Sequence, residues 1–154
     1  MKNLAFVLLA LLFVTTSCRE DSGEPVLTDY TENFNVPQSP IEGVMHFQKS
    51  DNDRLYLKKI NFSGTLTEPY PITKIDMVVK AENDNPHGSP FNEPGYDYTF
   101  IPTTPMNSFD FDQLDVQPQL FVGRNEFPMK KLNVTITVEK QQGTPTLLVY
   151  TKNY

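Results

Sequence analysis

Apolar and polar residues alternate with a period of two over much of this chain. The clearest case is Leu132 to Glu139. Leu132, Val134, Ile136 and Val138 fall on one face, and Asn133, Thr135, Thr137 and Glu139 on the other. That is the pattern of a strand with one buried side. Gln141-Gln142-Gly143-Thr144 then supplies turn residues, and Thr146 to Thr151 returns, which predicts a β-hairpin. Over 72–81, Ile75, Met77 and Val79 share a face opposite Lys74, Asp76 and Lys80, the pattern of a central strand. Between Leu55 and Leu66 the phase changes: Leu55 and Leu57 have one parity, Ile60, Phe62 and Gly64 the other. Because a one-residue slip exchanges the two faces of a strand, this predicts a bulge or bend near Lys58-Lys59. Shorter β-prone runs occupy 43–48, 96–101 and 120–122, and Phe109 and Phe111 alternate with Asp110 and Asp112.

Turn chemistry punctuates these runs. Lys49-Ser50-Asp51-Asn52-Asp53 is a polar turn, Pro69 and Pro71 end the third run, and 82–95 (ENDNPHGSPFNEPG) reads as a long loop. No stretch after residue 18 keeps a helical apolar period. The expectation is an all-β fold, a single β-sandwich of about seven or eight antiparallel strands, with an immunoglobulin-like arrangement favoured by the spacing alone. The Cys and Trp core markers of that family are absent: there is one Cys and no Trp. The sandwich is expected over 41–154. Residues 18–40, with Pro25, Pro37 and Pro40, read as a flexible tether, although 26–30 is an alternative first strand.

The N-terminus follows a different pattern. After Met1-Lys2-Asn3 comes an unbroken apolar run, LAFVLLALLFV, from Leu4 to Val14. It is too short for a membrane-spanning helix, which needs about 20 residues, and suits the apolar core of a signal peptide. Thr15-Thr16-Ser17-Cys18 follows. The stretch LFVTTSC resembles the lipobox of bacterial lipoproteins. The resemblance implies that residues 1–17 are removed and that the Cys18 sulfur takes a diacylglycerol. Several acyl chains together anchor a protein stably, where one holds weakly. Arg19-Glu20-Asp21 resembles the acidic export tag that some Gram-negative lineages place after this cysteine, which implies the outer membrane and its outer face. A charged, solvated linker is the plainer reading of the same residues.

Composition removes several classes of function. The chain carries 13 basic and 19 acidic side chains, and of the charged residues only Lys2 lies before Cys18. An acidic domain without a basic patch argues against nucleic acid as a partner and against electrostatic adsorption to anionic lipid. Acylation of the only cysteine leaves no free thiol. His46 and His87 are the only histidines and are too far apart for a short zinc motif. Neither a G-x-S-x-G nor a P-loop is present, so no enzyme activity and no cofactor is expected. Asn83-Asp84-Asn85-Pro86 resembles part of the calcium linker of cadherins, but Asx-rich turns form for backbone reasons as well, and no metal site is assigned. The best recognition candidate is the long loop and the strand after it, with Asp84, His87, Phe91, Tyr96 and Tyr98 as possible ligand contacts. Packing is the competing role of the two tyrosines. The reading is a non-enzymatic surface lipoprotein for adhesion, matrix assembly or binding of a protein or glycan. The alternative is an accessory subunit of an outer-membrane uptake or secretion complex.

Overall fold

The computed structural model describes residues 28–84, 91–92 and 95–154. The described residues form nine strands: β1 (Tyr30–Asn35), β2 (Ile41–Lys49), β3 (Arg54–Thr65), β4 (Ile72–Asn83), β5 (Phe91–Asn92), β6 (Tyr96–Phe100), β7 (Ser108–Arg124), β8 (Met129–Lys140) and β9 (Thr146–Asn153). All pairings are antiparallel. One sheet has the order β1-β2-β3-β7; in the other, β8 lies between β4 and β9, and β5 and β6 both pair with β4. The order β2-β3-β7 facing β6-β4-β8-β9 is the A-B-E and C′-C-F-G connectivity of an immunoglobulin-like sandwich, with β1 added outside the first strand.

The core forms where the inward-facing alternations of both sheets meet. Phe34, Met45, Leu57, Ile60 and Phe62 come from one sheet, and Ile75, Met77, Val134, Ile136 and Leu148 from the other; all are almost wholly buried. Area removed from water at roughly 25 cal/mol per Å2 is the main stabilising term for such a core. Two seams close the sides. Along β6 and β7, Phe62 stacks on Phe111 at 4.7 Å, and Tyr98 and Phe100 meet Phe111 edge-on at 5.7 and 5.0 Å. Along β1 and β9, the Tyr150 hydroxyl donates to Glu32 Oε1 and Lys152 Nζ to Glu32 Oε2, both at 2.7 Å.

The expected bulge in β3 is present. His46 pairs with Lys59 and Phe47 with Leu57, so Lys58 is the extra residue, and inward parity changes there. The strand count, by contrast, exceeds the expected seven or eight. Residues 109–112 and 120–122 belong to the single strand β7, which runs through Pro118. β7 is the edge of its sheet, where the missing proline N–H interrupts no ladder on the open side. The domain also begins before residue 41. Residues from Tyr30 onward, expected within the tether, form β1 and bury Phe34. Gly43, directly opposite in register, makes room for that ring: a Cβ there would collide with the Phe34 ring.

Candidate functional site

The outward residues of the four-stranded sheet form polar rows across the strands. In register, Asn35 lies beside Glu42, Glu42 beside Ser63, and Ser63 beside Asp110. The next row runs Asn33, Val44, Asn61. It is continued by Asp112, whose Oδ1 accepts from Asn61 Nδ2 at 2.7 Å. These positions face outward because their neighbours Phe34, Ile41, Phe62, Phe109 and Phe111 face the core, and strand side chains alternate.

β7 is irregular at this point. Gln113 takes a left-handed backbone conformation, φ 57°. Its N–H donates to Asn61 Oδ1 at 3.3 Å, and its side chain accepts from Lys59 Nζ at 2.8 Å. Asn61 thereby holds both Asp112 and the bulge that follows it. A bulge of this kind re-aims the side chains around it.

Two adjoining hollows open on this face, with volumes of about 550 and 380 Å3. Glu42, Ser63 and Asp110 line both, so they form one groove. Ser39, Pro40 and Ser108 close one end, while Asn33, Asn35 and Asn61 line the other. The size falls within the range of small-ligand and peptide-side-chain sites, ~300–1,000 Å3. No Lys, Arg or His lines either hollow.

Most other carboxylates among the described residues are engaged. Asp53 pairs with Lys49, Glu126 with Arg124 and Glu68 with Lys140, while Asp76 pairs with Lys74 and accepts from Thr99. The hydrogen bond from Lys74, then that from Thr99, holds the Asp76 carboxyl below the ordinary carboxylate range. Glu42 and Asp110 have no such partner among the described residues, nor do the side chains of Asn33 and Asn35. Two carboxylates and two carboxamides thus converge unpaired on one groove.

The residues singled out from the sequence lie elsewhere. Asp84 is exposed at the end of β4, its N–H donating to the Pro128 carbonyl at 2.9 Å. Phe91 pairs through its backbone with Asn83. Tyr96 is buried, and Tyr98 is half-buried against Phe62 and Phe111. Both tyrosines face the core, because Val79 and Met77, their partners on β4, face it too. Burial raises the pKa of both phenols. Both rings thus take the packing role that competes with ligand contact. Cys18 and His87 lie outside the described residues. His46 lies on the outer face of β2, one row beyond the groove, next to Lys59.

The groove residues went unnoticed in the sequence, although Asp110 was legible as outward-facing from its phenylalanine neighbours. What hid the site is the pairing of β3 with β7, strands separated by two crossings between sheets, which brings Ser63 to Asp110. Among the described residues no three His, Cys, Asp or Glu side chains gather as a metal site. No family model matches the chain, and no curated protein or solved structure matches it.

Proposed function

We propose that this chain is a lipoprotein of the outer membrane, anchored through Cys18, whose sandwich is a non-enzymatic binding module with its ligand face on the sheet β1-β2-β3-β7. The anchor half of this reading rests on the apolar run Leu4–Val14 followed by Thr-Thr-Ser-Cys. One observation carries the binding half. Unpaired Glu42, Asp110, Asn33 and Asn35 line a groove at the end of the domain opposite the point where the chain enters β1. Entry is at Tyr30, where the Asp29 carboxylate accepts the Lys49 N–H. The groove lies toward the β1–β2 turn at Ser39-Pro40, the far end of β1. A tether attached at one end of a rigid sandwich presents the other end outward.

Fractionation tests the anchor. The wild-type chain should partition into the detergent phase of a membrane extract with the mass of a tri- or diacylated polypeptide. Cys18→Ala should accumulate uncut, still carrying residues 1–17. A wild-type protein recovered unacylated from the aqueous phase would exclude the anchor.

The accessory-subunit reading has one observation in its favour. On β9, the edge of the second sheet, Leu147 and Val149 are 58% and 53% exposed on one face, and Thr146 to Thr151 carries no charge. Such an edge accepts a partner strand. A stoichiometric membrane protein retained through mild-detergent purification, and lost in Leu147→Lys/Val149→Lys, would favour that role.

A further inference from the structure

We infer that the groove on the four-stranded sheet takes an extended basic peptide segment, with Glu42 and Asp110 binding lysine or arginine side chains. This rests on the binding-module reading and names the ligand chemistry of the same face. Charge selects the ligand class. Two carboxylates without partners line both hollows, and no basic side chain lines either one. The nearest lysine on this face, Lys59, already donates to Gln113 and lies 4.0 Å from Asp115. An anionic ligand would meet repulsion there, and a neutral one would leave both carboxylates uncompensated. A cation supplies what each lacks, through charge-assisted hydrogen bonds.

Geometry selects an extended segment. Glu42 on β2 and Asp110 on β7 flank Ser63 on β3, so they stand two strand spacings apart, about 10 Å. Alternate residues of an extended peptide present side chains on one face about 7 Å apart, and the long stems of Lys and Arg span the difference. The carboxamides of Asn33 and Asn35 each offer a donor and an acceptor to the peptide backbone. The motif expected is therefore basic–x–basic.

The experiment uses the full chain in detergent micelles and a fluorescent Lys-Thr-Lys-Thr-Lys-Thr peptide, read by anisotropy at about 0.15 M salt, where non-specific attraction is screened. Saturable one-to-one binding is expected, weakened at least about tenfold by Glu42→Gln/Asp110→Asn. Asp97→Asn/Glu126→Gln removes the same charge away from the groove and should leave binding within about twofold. Far-ultraviolet dichroism and the thermal midpoint confirm that both variants remain folded. Equal weakening by the two double variants would overturn the proposal, since the attraction would then be general. Absence of saturable binding would overturn it too. A neutral oligosaccharide bound in its place, and lost in Glu42→Gln/Asp110→Asn, would reject the basic ligand and keep the groove as the binding face. No ligand from a peptide and glycan panel would reject both.

Discussion

Asn83 is the one polar residue among the described residues that is buried as a whole, backbone and side chain together, and neither its Nδ2 nor its Oδ1 has a partner. It continues the inward alternation Ile75, Met77, Val79, Ala81 and falls where an apolar residue belongs. An unpaired buried amide costs about 1–3 kcal/mol. Asn83→Leu retains the branched shape and removes the unsatisfied atoms, so it should raise stability by about 1–2 kcal/mol. A urea midpoint that shifts upward with unchanged slope would show it. A lower midpoint would mean that Asn83 is held by an interaction that outweighs its desolvation. Glu32 shows the opposite arrangement at the same scale. Its side chain is 13% exposed, yet Tyr150 and Lys152 each donate to it. Sequence alone separates neither case: Asn83 and Glu32 both sit at ordinary strand positions, and only the facing sheet decides which polar atom finds a partner.

At the scale of elements, the β1–β9 seam couples the fold to alkaline pH. Burial, then the hydrogen bond to Glu32, pushes the Tyr150 hydroxyl up to about 12. Tyr154 is also raised, by burial and then by its hydrogen bond to Tyr30. A phenol titrating higher in the folded state than its unfolded value near 10 stabilises the fold fully below that value. The contribution is lost as pH rises through the folded one. Stability should therefore hold to about pH 10 and fall between about 10 and 12. Tyr150→Phe should have lower stability at neutral pH and a shallower alkaline loss, measured by urea midpoints across that range. A parallel decline in both proteins would place the sensitivity elsewhere. This seam also marks what the sequence displayed and what it hid. The bulge at Lys58, the central strand β4 and the hairpin β8–β9 were legible, because alternation and turn residues are local signals. β1 was not: Tyr30 to Asn35 mixes Thr, Glu and Asn with its aromatics, and its strand character comes from pairing with β2 and from Gly43 admitting Phe34. Nor was the unity of β7, since a proline at 118 reads as a break unless the strand is known to lie at an edge. Packing was already the competing role of Tyr96 and Tyr98 in the sequence; what it could not name is the partner, since Tyr98 meets Phe62 and Phe111 of the opposite sheet.

At the scale of the molecule, connectivity sorts the loops into two ends. The β2–β3 turn, the end of β4 at Asp84 and the β7–β8 turn lie at the end where the chain enters β1. The β1–β2 turn, the β6–β7 loop and the β8–β9 turn lie at the other, with the groove. Backbone hydrogen bonds from Leu66 to Asn107, Ile72 to Met106 and Gln141 to Pro71 tie the far end together. The end of β4 and the start of β6 therefore lie where the chain enters β1, and the groove lies at the opposite end. If Cys18 is the anchor, the residues between it and β1 set how far the tether end stands from the membrane. A spacer of n residues reaches at most about 3.3–3.6 Å per residue, so deleting residues 19–26 would draw that end against the headgroups. A protease site inserted between Asp51 and Asn52, in the β2–β3 turn, should then be cut more slowly on intact cells. The same site after Gly143, in the β8–β9 turn, should be cut at an unchanged rate. Equal slowing at both positions would mean that the sandwich lies flat on the membrane, with its groove no farther from the lipid than its tether end.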